Sequence, residues 1–175
     1  MEARILLPAD FYRMRAPEAA PLLLGKLLCR RMEDGRILRA PITETECYFG
    51  ESDTACHAHR GRTPRTRTLY EEGGIAYVYL CYGIHSLLNV VTGPQDFPEA
   101  VLIRGIRGAE GPGRLTRALA IDRTFNGLPL TGESALWIED TPPVADYTAS
   151  PRIGIGYASE EDQKRLWRFT VRASI

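Results

Sequence analysis

Lysine is nearly missing from this chain of 175 residues: Lys26 and Lys164 stand against twenty arginines. Neither lysine sits in a catalytic-looking context, which disfavours Schiff-base chemistry. Long apolar runs are missing too. No stretch reaches the ~18 residues that would cross a bilayer, and the apolar stretch at the N-terminus is too short for a secretory signal. The four cysteines, Cys29, Cys47, Cys56 and Cys81, form no CxxC pair. They read as buried or half-buried free thiols of a reducing compartment, so the cytosol is the expected location, nucleoid-associated in a bacterium, with no membrane partner. There is no GxSxG elbow and no Ser-His-Asp order, so nucleophilic catalysis lacks a signature. Gly111-x-Gly113 and Gly154-x-Gly156 do not complete a GxGxxG after a strand, although a helix after Gly113 would offer N–H groups to a phosphate. Cys56-His57-Ala58-His59 invites a metal, but only His85 and scattered cysteines are left to complete four ligands. No metal and no cofactor is expected.

Net charge is also absent, with 22 basic and 22 acidic residues. That weighs against nucleic-acid binding, which needs positive surface. The distribution weighs the other way. His59 to Arg67 holds four arginines and no acid, and Arg104 to Arg123 holds five arginines against Glu110 and Asp122. Arginine is the better phosphate fork, though genome composition alone also enriches it.

The length suits one domain over residues 1–175. Apolar spacing predicts one helix from Ala16 towards Met32, ending near Cys29. Asp34-Gly35 is a turn signal before a strand from Arg36 to Phe49. A long arginine-rich loop follows over 51–70, with a short helix around Asp53 to His57. Strands are expected over Ile75–Cys81, Ser86–Thr92, Ala100–Arg107, Ala135–Glu139 and Phe169–Arg172. Tyr82-Gly83 falls at a hairpin tip, a helix runs from Arg114 to Ala120, and Arg152 to Gly156 is a glycine-spaced turn or edge. The expected fold class is α/β (α+β): a curved, mainly antiparallel mixed sheet with packed helices and a protruding β-hairpin.

The most informative stretch is Ile42-Thr-Glu44-Thr-Glu46-Cys-Tyr48-Phe-Gly50. Alternation along a strand puts Ile42, Glu44, Glu46 and Tyr48 on one face. A carboxylate beside a flat aromatic face can grip a flat cationic group and activate water next to it. Tyr77 and Tyr79 repeat the same-face pairing. Cleavage at an anomeric carbon passes through an oxocarbenium-like state that a carboxylate stabilises. A base inside a duplex must first be flipped out, and Tyr82 is placed to fill the gap. The plainer reading is a half-buried sheet whose glutamates face solvent and a tyrosine packed at a hairpin rim.

These residues resemble the alkyladenine (3-methyladenine, methylpurine) DNA glycosylases of the mammalian type. The likeness runs from Leu22-Leu-Leu-Gly-Lys-Leu-Leu through Ile42–Gly50, Ala55-Cys-His57 and Arg62-Thr-Pro-Arg65. It continues in Tyr77–Gly83, Asn89, Val101-Leu-Ile-Arg104, Gly111-Pro-Gly-Arg-Leu115, Ala118-Leu-Ala-Ile121 and Arg152–Gly156. The resemblance implies a monofunctional glycosylase of base excision repair that acts as a monomer on duplex DNA holding an alkylated, or also a deaminated, purine and leaves an abasic site. Glu46 then matches the general base, with Arg104 and the carbonyl of Ile153 holding its water. Tyr48 and Tyr79 match the rings that sandwich the flipped base, with His57 at its edge or backbone side, Asn89 against normal guanine and Leu102 in the wall. Tyr82 matches the intercalating side chain. Arg62 and Arg65 match residues near the DNA backbone, and Arg114 and Arg123 stand where relatives can carry lysine. Departures are a short connection from Arg104 to Gly111, His85 in place of an aromatic, and a C-terminal stretch shorter than in most relatives. Outside this resemblance, the residues also allow a non-catalytic single-strand binding module that stacks bases on Tyr77, Tyr79 and Tyr82, or a hydrolase of free nucleosides.

Overall fold

The computed structural model describes Ala3 and residues 5–175. Its longest element is the thirteen-residue strand β2 (Ile37–Phe49), preceded by β1 (Leu27–Arg31). Five strands follow: β3 (Ala76–Cys81), β4 (His85–Val91), β5 (Glu99–Ile106), β6 (Ala109–Glu110) and β7 (Leu136–Glu139). The last two are β8 (Tyr147–Ser150) and β9 (Arg168–Val171). They join in one sheet along the path β3-β4-β5-β2-β1-β7, with β6 on β5 and a β8–β9 pair on β2. Each of these pairings is antiparallel. Three short helices, α1 (Ala16–Leu22), α2 (Pro112–Ala118) and α3 (Glu160–Lys164), complete the frame. None is long and apolar enough to cross a membrane.

The expected helix from Ala16 to Met32 divides in two. Its first part forms α1, whose opening turn is capped from the sheet: the N–H of Ala16 donates to Glu99 at 2.5 Å, and Arg15 holds the other carboxylate oxygen at 2.8 Å. Gly25, at φ +83°, then turns the chain. The second part is strand β1, paired on one side with β2 and on the other with β7. Leu28 and Cys29 are both fully buried. A strand covered on both faces reads as an unbroken apolar run, which a short window does not separate from a helix.

Two further expectations shift. Ile42 does not share a face with Glu44, because register shifts fall between Ile42 and Thr45. A bulge of this kind swaps the faces, and Ile42 packs in the main core with Cys47. No helix forms over Asp53–His57; short 3₁₀ turns occupy His57–Arg60 and Arg67–Tyr70 instead. Asp53 explains the missing helix. Its carboxylate accepts from the N–H groups of Phe49 and Ala55, a local turn that competes with helix.

Alternation gives the sheet two working faces. Cys47, Val78, Leu88, Val90, Val101 and Ile103 pack into the main core with α1 and α2. On the opposite face Tyr77, Val91 and Ala100 pack under Cys56, Ala58 and Leu69 from the 51–70 segment. One cross-strand row on that face runs Tyr77↔Asn89↔Leu102↔Glu46↔Arg168 through β3, β4, β5, β2 and β9. Directly opposed residues lie side by side, so the register itself assembles these side chains.

The turn at Gly25 offers a test. A Cβ there would lie 2.6 Å from Val144 and at positive φ. Gly25→Ala should destabilise the fold by roughly 2 kcal/mol in a urea melt; an unchanged midpoint would contradict this packing.

Candidate active site

Glu46, fourth of the five residues in the row, is completely buried. Three groups meet its carboxylate. The Tyr48 hydroxyl donates to Oε1 at 2.9 Å, and the Ile153 N–H donates to Oε2 at 2.7 Å. Arg104 approaches Oε1 at 3.7 Å, an ion-pair distance beyond a direct hydrogen bond. Ile153 therefore reaches Glu46 through its amide nitrogen. The Nε of Arg104 is engaged by Glu44 at 3.1 Å, and Arg168 meets the same carboxylate oxygen at 3.2 Å. Burial pushes the Glu46 carboxyl above its ordinary range, against the opposing pull of Arg104, the Ile153 N–H, the Tyr48 hydroxyl and Arg152. Burial and the Glu46 charge together drive the Tyr48 phenol well up, so it stays a donor.

Beside Glu46 along β2 opens a cleft lined by Tyr48, His57, Tyr77, Tyr79, Asn89 and Tyr157, with Cys56, Leu69 and Ala100 behind them. The Tyr77 and Tyr79 rings lie 5.4 Å apart, and His57 stands edge-on to Tyr79 at 4.4 Å. Its Nδ1 is 3.0 Å from the Tyr77 hydroxyl. Burial, then the Arg65 charge, pushes His57 down to about 4, so its ring is neutral at physiological pH. The Asn89 amide donates to the Tyr77 carbonyl at 3.2 Å, which fixes its orientation in the cleft. Leu102 is buried between Asn89 and Glu46 in the row.

Tyr82 lies at the tip of the β3–β4 hairpin and is 92% exposed, with Ile84 beside it at 72%. The turn closes with Ile84 N–H donating to Cys81, and both Tyr82 (φ 52°) and Gly83 (φ 66°) are left-handed. Tight hairpin turns ask for that conformation, but a bulky side chain adopts it at a cost.

The arginines are dispersed. Arg65 stacks over the Tyr79 ring at 5.2 Å, at the edge of the cleft. Arg62 pairs with Asp96 at 2.8 Å and lies over Tyr70. Arg114 on α2 and Arg123 in the turn after it are exposed and do not line the cleft. Among the described residues no cluster of three His, Cys, Asp or Glu is arranged to hold a metal. All four cysteines are free, and burial raises the Cys56 thiol to about 12.

Four residues lay outside the site expected from the sequence. Glu44 was seen on the strand but not as the partner of Arg104. Tyr157, two residues beyond Ile155, donates its hydroxyl to the Ala55 carbonyl at 2.8 Å and lines the cleft. Asp53 and Arg152 form a buried, two-pronged ion pair at 2.7 and 3.0 Å directly behind Tyr48. An acid before Ala55-Cys-His57 and an arginine before Ile153 were the only signals available for that pair.

The sequence pattern of the family described as methylpurine-DNA glycosylase (MPG) matches residues 10–110 and 107–175, two stretches that meet at the β5–β6 connection. Similar proteins carry the name "Putative 3-methyladenine DNA glycosylase". One from Psychrobacter cryohalolentis is 44% identical, covering 89% of this chain and 87% of its own length. Another, from Methanocella arvoryzae, is 43% identical over 94% and 91%. A third, from Anaeromyxobacter dehalogenans strain 2CP-C, is 46% identical over 96% and 84%.

The carboxylate geometry is open to direct test by NMR titration of the Glu46 side-chain carbon. Its midpoint should lie above that of an exposed glutamate, and Tyr48→Phe should move it further up by removing a donor to the charged form. A midpoint indifferent to Tyr48→Phe would rule out the hydrogen bond.

Proposed function

The chain belongs to the methylpurine-DNA glycosylase family, and from that premise we propose how its residues excise a purine from DNA. The protein is a DNA N-glycosylase of repair. We read residues 1–175 as one domain working as a monomer in the cytoplasm, on duplex DNA with an alkylated purine. The observation that carries the reading is the buried Glu46 carboxylate, held by Tyr48 and Ile153 on the same cross-strand row as Asn89 and Leu102.

Tyr82 enters the duplex as the wedge and the damaged nucleotide swings out. Its base stacks between Tyr48 and Tyr79, with the His57 ring at its edge. A ring-alkylated purine is cationic, so electron-rich tyrosine faces favour it and a neutral His57 does not repel it. Asn89, its orientation fixed by Tyr77, excludes the amino group of guanine. The 3.7 Å between Arg104 and Glu46 suits a bridging water. Ionised Glu46 takes a proton from that water as the base departs, and its charge stabilises the oxocarbenium-like sugar. The carbonyl of Ile153 is the third contact we assign to this water. Arg65 leaves Tyr79 for a phosphate as the base arrives, and Arg62, Arg114 and Arg123 meet the backbone further out.

The same geometry supports cationic lesions over neutral ones such as hypoxanthine. A neutral base needs a proton to leave, and the polar groups at the base's edge are a neutral His57 and the Tyr77 phenol raised to about 12. Against the single-strand module, Tyr77 is only 2% exposed and cannot serve as a stacking platform.

The test is release of free base by the wild type from a labelled duplex methylated at purine ring nitrogens, beside the free methylated nucleoside. Release from the duplex alone is expected. Turnover of the nucleoside at an equal rate would replace this reading with a nucleoside hydrolase, and no release from either would remove catalysis. Glu46→Gln should lower the single-turnover rate by about 10²-fold or more with lesion binding kept; a wild-type rate would exclude Glu46 as the base. Tyr82→Ala should slow excision from duplex roughly tenfold while sparing single strands. Equal effects on both would contradict the wedge.

A further inference from the structure

Behind Tyr48, away from the cleft, the guanidinium of Arg152 is completely buried. It grips Asp53 with two nitrogens at 2.7 and 3.0 Å and donates to the carbonyls of Cys47 at 2.9 Å and Asp162 at 3.3 Å. Its carbon stands 4.9 Å from the Tyr48 ring centre and 5.0 Å from that of Trp167. The remaining nitrogen, Nε, is buried without a hydrogen-bond partner. Apolar packing of similar volume commonly replaces a buried ion pair without loss of stability, so stability alone is a weak reason to hold one here.

What the pair does hold is the peptide on either side of the catalytic hydrogen bond. Cys47 follows Glu46 in the chain, and Arg152 precedes Ile153, the residue whose N–H meets Glu46. Arg152 thus ties strand β2 to the 152–157 segment one residue from each partner. The same guanidinium backs the Tyr48 ring, whose hydroxyl is the other donor to Glu46. Asp53 in turn fixes the start of the 51–70 segment through the N–H groups of Phe49 and Ala55. Asp162, at the start of α3, repeats the link by accepting from the Thr54 N–H at 2.9 Å.

We infer that Arg152, with Asp53, is a positioning residue for excision: it sets Glu46 against the Ile153 N–H and the Tyr48 hydroxyl, and supplies a fixed positive charge behind both. This inference rests on the glycosylase reading. The charged and titratable groups facing Glu46 are Arg104 from β5, Glu44 and Tyr48 from β2, Arg168 from β9, and Arg152 and Tyr157 from the segment after β8. Removing the Arg152 charge takes away one of the groups that favour ionised Glu46, so its base form appears only at higher pH.

The experiment measures single-turnover excision of a methylated-purine duplex against pH, together with affinity for a duplex holding a reduced abasic analogue. Arg152→Gln, Arg152→Lys and Asp53→Asn are compared with wild type, each checked for folding by thermal melting. Arg152→Gln should lose about 10²-fold in rate, with its acid limb displaced to higher pH and analogue binding kept. Arg152→Lys keeps the charge and loses the fork, so its rate falls while its limb stays. Asp53→Asn leaves the Arg152 charge without its counter-ion, so the limb moves to lower pH. A merely structural role would not shift the two limbs in opposite directions. If Arg152→Gln does not fold, Arg152→Lys carries the decision: a reduced rate with kept affinity supports the inference, and a wild-type rate overturns it. A folded Arg152→Gln with wild-type rate and limb also overturns it. Failure of the wild type itself to release base would instead strike the glycosylase reading.

Discussion

Everything at this site depends on one carboxylate buried inside a sheet. Moving an isolated carboxylate out of water is costly enough that it normally takes up a proton instead. Glu46 is surrounded by partial remedies: two hydrogen-bond donors in direct contact and one guanidinium slightly too far to bond. The balance leaves its affinity for protons raised. A carboxylate in that condition is a stronger base than one in water.

The sheet register does the assembling. A cross-strand row delivers residues from five strands to one line without any loop having to place them, and β2 supplies Glu46 and Tyr48 from the same face two residues apart. Non-strand chain forms the cover: the 51–70 segment over Tyr77 and the 152–157 segment over Glu46. The hairpin tip is the opposite case. Tyr82 is held in a left-handed conformation with its ring in solvent, which stability alone would not favour. Such an arrangement fits a side chain whose partner is another molecule.

Much of this was legible in the sequence, for identifiable reasons. The hairpin around Tyr82-Gly83, the strands expected over Ile75–Cys81 and Ala100–Arg107 and found within one residue of those bounds, and the pairing of Glu46 with Tyr48 all follow from alternation and turn residues. The helix–strand break at Gly25 was not, because a doubly covered strand has no polar face to reveal its period. Ile42 was misplaced by a bulge that alternation cannot show. Asp53 and Arg152 were invisible as a pair because they lie 99 residues apart, and only the fold makes them neighbours. Arg62 and Arg65 were read as a patch, whereas the structure divides them between Asp96 and Tyr79.

The central claim is that a single buried carboxylate governs excision. It is tested most directly by asking whether the acid limb of the wild-type single-turnover rate coincides with the titration midpoint of Glu46 measured by NMR in the same protein. Coincidence, at a pH above the ordinary glutamate range, is the predicted result. A limb that follows a different midpoint, or a rate flat across the Glu46 titration, would contradict the account.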